Sequence, residues 1–244
     1  MSPAATVQAD ASPAILIEGL RFRWRLDRPW VLDVPDFQLA MGERWLLAGP
    51  SGSGKSTLLA LIAGIQRVRE GRVAVLGHEL TTLSGAARDR LRADRLGVIF
   101  QMFNLLPYLS VLENVLLPCQ FSAARRNRAQ AMAGSATTEA RRLLAQLGLD
   151  APGLERRPAA ELSVGQQQRV AAARALIGQP ELIIADEPTS ALDADRRLDF
   201  VTLLQRECAN AGAALLFVSH DRTLAEFFDR VVELPAINRI PMLG

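Results

Sequence analysis

The sequence predicts an α/β fold in which a parallel sheet is covered by helices on both faces and carries one helical insertion. Three observations support that prediction. Four apolar runs, at residues 45–48, 97–100, 182–185 and 213–218, show no polar alternation, which is the pattern of strands buried on both sides. A glycine-rich loop, GPSGSGKST, follows the first run and opens an apolar helix, STLLALIAGI. From about residue 104 to 175, helical signals dominate and strand signals are few. The 244 residues suit one large α/β domain, or a core with an inserted subdomain.

Taken in order, residues 1–13 are rich in Ala, Ser and Pro and read as a flexible tail, with no basic residue ahead of an apolar run to make a signal peptide. Residues 20–26, LRFRWRL, alternate strictly, so Leu20, Phe22 and Trp24 share one face of a half-buried antiparallel strand and three arginines share the other. The run at 45–48 is the first parallel strand and that at 97–100 the next. Within the insertion the clearest helix is EARRLLAQLGL, where Ala140, Leu143, Leu144 and Leu147 form one stripe before Gly148 stops it. Strands at 182–185 and 213–218 follow, with 231–234 as a last strand. The expected organisation is a single domain over 14–244, with 14–103 and 176–244 as its core and 104–175 as a helical subdomain.

Composition narrows the partners. The chain is 49% hydrophobic and 22% charged, which is ordinary for a globular protein. Its 28 cationic residues against 26 acidic ones leave +2, so nothing calls for a nucleic-acid partner. Lys55 is the single lysine among those cations. Cys119 and Cys208 lie far apart, with no metal or redox spacing, as expected of a reduced cytosolic compartment. The uncharged stretch 96–112 contains Gln101, Asn104 and Pro107 and is too short and polar to cross a bilayer. Work at a membrane would therefore need a second chain to hold this one there.

The loop supplies the first chemistry. Gly49, Gly54, Lys55 and Ser56 occupy the fixed positions of the phosphate-binding loop of nucleoside triphosphatases. Gly49, Ser51, Gly52, Ser53, Gly54, Lys55, Ser56 and Thr57 would curl backbone N–H groups around phosphate oxygens, at the positive end of the following helix. Lys55 would reach the β- and γ-phosphates, and the Ser56 hydroxyl would ligate Mg²⁺. LIIADE ends in two carboxylates: Asp186 suits a hard cation, and Glu187 suits the orientation or deprotonation of an attacking water. LLFVSHD ends in His220, and Gln101 follows another strand end. Parallel strands bring their C-terminal ends to one edge, so His220, Gln101 and Asp186 would face the same ligand. LSVGQQQRVAAARAL sets Ser163 and Gly165 at the start of an Ala-rich helix, which makes a second anion site. One nucleotide has no use for two such sites unless the second serves another chain.

With these motifs in place, the chain resembles the nucleotide-binding subunit of an ATP-binding-cassette (ABC) transporter from about residue 15 to 234. The phosphate loop, Gln101, the signature 162–166, the strand 182–187, the loop 190–193 and His220 fall in the order of that family. The segment RLGVIFQMFNLLPYLSVLENVLLP is similar to the branch holding lipoprotein-release and macrolide-export ATPases. The resemblance implies a P-loop NTPase (RecA-like) parallel-sheet core, an N-terminal antiparallel β subdomain and an inserted α-helical subdomain carrying the signature. It implies ATP and Mg²⁺ as ligands, with Lys55 and the loop on phosphates, Ser56, Gln101 and Asp186 at the metal, Glu187 on the attacking water and His220 on the γ-phosphate. It also implies that Ser163, Gly165 and Gln166 contact the nucleotide of a second copy in a homodimer. Trp24 matches the aromatic that stacks on adenine, with Phe22 as the alternative and a core position on the strand as the competing reading.

The same resemblance implies a separate integral-membrane permease, a place at the cytoplasmic face of the inner membrane through that permease, and export or extraction of a lipophilic or peptide-like cargo. A permease helix would enter a groove near Gln101, where Phe103, Leu105, Leu106 and Tyr108 either line the groove or pack inside the subdomain. A soluble ABC-type ATPase is the alternative; a small-molecule kinase has no use for LSVGQ. The sequence departs from the family at Val164, where Gly is usual and where a β-branched residue restricts the backbone. It departs again at Trp24, where Tyr is usual, and after the last strand, where an Asp-Gly turn is missing.

Overall fold

The computed structural model describes residues 12–190, 192 and 194–241, so all but the last two residues of the expected tail lie outside it. In chain order the strands are β1 (Ile15–Phe22), β2 (Leu32–Leu39), β3 (Arg44–Ala48), β4 (Glu70–Val75), β5 (His78–Glu79), β6 (Leu96–Ile99), β7 (Leu182–Asp186), β8 (Ala214–Ser219) and β9 (Arg230–Glu233). The helices are α1 (Lys55–Ile62), α2 (Gly85–Arg95), α3 (Val111–Phe121), α4 (Ala123–Ala133), α5 (Ala136–Gln146), α6 (Val164–Leu176), α7 (Ala194–Ala211) and α8 (Leu234–Ile237). The parallel sheet has the order β6-β7-β8-β3-β9, and the antiparallel sheet the order β2-β1-β4-β5.

The parallel strands β3, β6, β7 and β8 read as apolar runs because each face meets its own core, whereas the edge strand β9 is mostly exposed. Trp45, Leu47, Ile184 and Leu216 point into a cluster shared with α1 and the antiparallel sheet. Leu46, Ile183, Leu215 and Phe217 point the other way, into a cluster shared with Val115, Leu143, Leu144, Val170 and Phe200 of α3, α5, α6 and α7. The helical insertion therefore packs on one face of the sheet as part of a common core.

The N-terminal strand differs from the sequence expectation. It starts at Ile15 and ends at Phe22, with Trp24 in the turn that follows rather than on the strand. The register against β4 shifts between Glu18 and Arg21, around Gly19 at φ 60°. That bulge moves the buried phase from Ile15 and Ile17 to Leu20 and Phe22. The alternation visible from residue 20 onward is only the second half of the pattern. Trp24 keeps contact with the strand edge-on, its ring 5.2 Å from that of Phe22 at 83°.

Two arginines tie the insertion to the rest of the core. Arg125 of α4, 3% exposed, donates to the carbonyls of Ile177 (2.8 Å), Leu96 (3.2 Å) and Ala175 (2.5 Å). Burial pulls its pKa down to about 10, which still leaves it cationic at neutral pH. Arg142 of α5 donates to both oxygens of buried Glu139 at 2.7 Å and reaches Glu207 of α7 at 3.4 Å. Gly97 is where α6 meets β6: a Cβ there would stand 2.4 Å from the Ala175 carbonyl oxygen, so only glycine fits.

Candidate active site

The C-terminal ends of β3, β6, β7 and β8 deliver the motif residues to one edge of the parallel sheet. They meet around an open cleft of about 720 Å³, lined by Ser51, Gly52, Gly54, Lys55, Ser56 and Thr57 of the loop, with Gln101, Glu187, Ser190 and His220 opposite and Trp24 at the rim. Trp24 is 51% exposed, so its ring is available to a ligand rather than packed in a core. Val31 also lines the cleft, a position that no sequence pattern marks.

The loop is less uniform than its motif suggests. Gly54 caps α1 at φ 101° with no side-chain hydrogen bond to the helix start, so the first amides of α1 are left for a ligand. Ser53 is turned inward, its hydroxyl buried and without a partner and its amide 3.3 Å from the Pro50 carbonyl. Gly49 does not line the cleft; its carbonyl instead accepts from Lys55 Nζ at 2.7 Å, as does that of Pro50 at 2.9 Å. Lys55 is 7% exposed and lies 3.8 Å from Glu187 Oε1.

Glu187 sits at φ 46°, a left-handed conformation that costs a non-glycine residue energy and concentrates at functional positions. Its amide donates to the Val218 carbonyl at 3.0 Å, which turns the side chain off the end of β7. Oε2 lies 2.8 Å from His220 Nδ1; a carboxylate only accepts, so Nδ1 carries the proton of that bond. The carboxylate is thus held between an ammonium and an imidazole, where it can take a proton from water.

Asp186, one residue earlier, is partly buried, and burial pushes its carboxyl above the usual carboxylate range while a Ser56 hydrogen bond opposes that rise. Its Oδ1 is buried without a hydrogen-bond partner. An orphaned carboxylate oxygen beside a hydroxyl, with the Gln101 amide lining the same cleft, is a donor set of hard oxygens that fits Mg²⁺. Among the described residues no group of three or more His, Cys, Asp or Glu is placed to hold a metal, a set that a largely hydrated Mg²⁺ does not need.

Ser163, Gly165 and Gln166 are not in this cleft. They line a separate cavity of about 560 Å³ with Arg169, Leu192 and Phe200. There Ser163 accepts from the Gln166 amide at 3.3 Å, and Gln166 Oε1 accepts from the Ser163 amide at 3.0 Å, a reciprocal cap on α6. Val164 is the first residue of α6, helical and 49% exposed, so the restriction expected of its β-branch coincides with a conformation it adopts without strain. Of the loop 190–193, Ser190 lines the cleft and Leu192 the second cavity; Ala191 and Asp193 lie outside the described residues.

Two features escaped sequence reading. Arg197 of α7 pairs with Asp221, next to His220, and donates to the Leu192 carbonyl at 3.1 Å, which links the edges of the two cavities. Near Gln101, Phe103 is buried and Leu105 packs against the same core, while Tyr108 is 74% exposed. A shallow groove of about 230 Å³ runs beside them instead, lined by Val98, Phe100, Leu117, Pro118 and exposed Phe121.

Comparison with known proteins bears on the family and the fold. The family model described as ABC transporter matches residues 32–190. The chain is 43% identical over 227 residues to a lipoprotein-releasing system ATP-binding protein, LolD, of Anaeromyxobacter dehalogenans, covering 92% of this chain and 91% of that one. It is 39% identical over 235 residues to an uncharacterized ABC transporter ATP-binding protein of Mycobacterium tuberculosis, covering 93% and 91%. Among solved structures it is similar to the dimeric bacterial ABC transporter cassette MJ0796, with a TM-score of 0.75 and 31% identity over 90% of this chain and 93% of that one. The same cassette in a post-hydrolysis dimer bound to ADP and Pi gives a TM-score of 0.73 at 32% identity, with the same coverage.

Proposed function

The chain belongs to the ABC transporter family, as an ATP-binding ATPase subunit with the α/β cassette fold, and on that premise we propose how it works. Two copies close around two ATP molecules. Each ATP lies in the cleft of one copy and is covered by Ser163, Gly165 and Gln166 of the other. The observation that carries this reading is the separation of the two anion sites into two cavities of one chain. A phosphate in the cleft gains the signature only from a second molecule.

On binding, Lys55 exchanges the carbonyls of Gly49 and Pro50 for β- and γ-phosphate oxygens, and the open amides of α1 take the remaining charge. Trp24 stacks on the base. Ser56, Asp186 and Gln101 would hold Mg²⁺, which would neutralise charge on the phosphate oxygens. Glu187 orients a water and takes its proton as the water oxygen attacks the γ-phosphorus and the bond to ADP breaks. His220 Nδ1 holds the Glu187 carboxylate, and the exposed ring contacts the γ-phosphate. Loss of that phosphate removes the bridge between the copies and lets them part.

Among the described residues no helix is long and apolar enough to cross a membrane. The family description and the relatives' names support a cycle that acts on a separate integral-membrane permease, which holds the chain at the cytoplasmic face. The groove of Val98, Phe100, Leu117, Pro118 and Phe121, beside Gln101, receives a permease helix. Relatives named for lipoprotein release support extraction or export of a lipid-modified or peptide-like cargo.

The test is Glu187→Gln. It should retain ATP binding, lose roughly 10²–10⁴-fold in turnover, and become a dimer on ATP addition in light scattering. A variant that stays monomeric at saturating ATP refutes the shared site. Detergent-solubilised membranes carrying the tagged, ATP-trapped variant should yield an integral-membrane partner; its absence favours an ATPase uncoupled from transport.

A further inference from the structure

Arg174, in the last turn of α6, makes an unusual pair of contacts. Nη1 donates to the carbonyl of Asn104 at 2.6 Å and Nη2 to that of Phe103 at 2.5 Å. Among the described residues it has no carboxylate within ion-pair distance, so a half-buried guanidinium is committed to two backbone oxygens. The segment it grips is itself strained: Phe103 and Asn104 are consecutive non-glycine residues at φ 58° and φ 50°. Such a pair persists only where the surroundings over-determine it, and the Arg174 fork, with the buried Phe103 ring, does so. Two residues upstream, Gln101 faces the nucleotide cleft.

The other end of α6 carries Ser163 and Gly165. Its 13 residues make a rod of about 20 Å. One rigid element thus joins the metal-side glutamine of a chain's own cleft to the motif that the chain offers to its partner's nucleotide.

We propose that Arg174 is a positioning residue that couples the two nucleotide sites, fixing Gln101 through the Phe103 and Asn104 carbonyls according to where α6 is held by the partner. The inference rests on the two-copy reading above. A lysine at 174 keeps the charge but offers one nitrogen in place of the planar guanidinium, so it cannot reproduce the separate Nη1 and Nη2 contacts, and Arg174→Lys separates geometry from charge. In the full-length protein this variant should keep its Tm and bind ATP within about two-fold of wild type by tryptophan fluorescence. Its kcat should fall about ten- to a hundred-fold, the usual effect of a small misplacement.

Because Arg174 acts through Gln101, combining the variant with Gln101→Ala should lose no more than Gln101→Ala alone. Wild-type turnover in Arg174→Lys, or losses that multiply in the double variant, would overturn the proposal. If the lysine variant melts far below wild type, amide exchange on Glu187→Gln replaces it. ATP-driven closure should then protect residues 101–104 together with 163–167, and protection of 163–167 alone refutes the coupling. A Glu187→Gln protein that never dimerises strikes the two-copy reading instead, which separates the two failures.

Discussion

Two helices of this chain begin with the same physical asset and treat it in opposite ways. The N-terminus of α1 is capped by Gly54 at φ 101°, with no side chain closing it, whereas that of α6 is closed by its own Ser163 and Gln166. Both ends concentrate backbone N–H groups and positive dipole, and either one alone would attract an anion. The open end is unsatisfied until a ligand arrives and belongs to the cleft with Lys55 and Glu187. At the closed end the amides of Ser163 and Gln166 already have partners at 3.0 and 3.3 Å in the free chain, so fewer amides remain there for an incoming phosphate. Affinity for nucleotide therefore resides at α1. On the proposed two-copy cycle the α6 end contributes a smaller increment, which is the right size for a contact that forms and breaks each time.

The largest effect that would sharpen this contrast comes from adding one carbon to the open end. A Cβ at Gly54 would stand 3.0 Å from Leu32 Cδ2, on a backbone at φ 101° that side-chain-bearing residues avoid. Gly54→Ala should cost about 1–3 kcal/mol of stability, and by shifting the amides it should weaken ATP binding roughly ten- to a hundred-fold. Thermal melting and an ATP titration measure both. Wild-type affinity would mean that the α1 amides are not the main phosphate ligands.

How much of this was legible in the sequence also divides along physical lines. The parallel strands β3, β6, β7 and β8 were legible because burial on both faces leaves no alternation to misread. Three of the antiparallel strands were not: β2 carries Pro35 mid-strand, β4 begins with three exposed residues, and β5 is only two residues long. In β1 the bulge at Gly19 broke the period into two phases. At the site, the loop, Asp186, Glu187 and His220 were legible because motif spacing and strand ends fix them. The grip of Arg174 was not, since a contact to residues some seventy positions away leaves no local pattern. The inward turn of Ser53 and the contacts of Arg197 were not legible either.

An intermediate effect tests the closed end. Ser163→Ala removes both the cap on Gln166 and the hydroxyl that the proposed two-copy arrangement offers to the partner's phosphate. The lost cap should cost about 1 kcal/mol, a fall in Tm of about 2–4 °C at this size. ATP binding to the single chain should be unchanged, because Ser163 lies outside the cleft. ATP-driven dimerisation in the Glu187→Gln background should need several-fold more protein. Weakened binding to the monomer would place Ser163 in the chain's own site and collapse the distinction between the two helix ends.

The smallest effect concerns the one departure inside the signature. Val164 stands where glycine is usual, yet it is the first turn of a formed helix, exposed, and in a conformation any L-residue adopts. Val164→Gly returns the usual residue. If the end of α6 is already built by the Ser163–Gln166 cap, the glycine changes only helix propensity, by less than about 0.5 kcal/mol, and turnover should stay within about two-fold, the kinetic equivalent of that energy. A large gain in turnover would mean that valine obstructs the partner's nucleotide. A large loss would mean that its branched side chain touches that nucleotide. Near-identity of the two proteins is what a pre-capped helix end requires, because the backbone amides that meet the phosphate are then positioned by the cap and not by the residue between them.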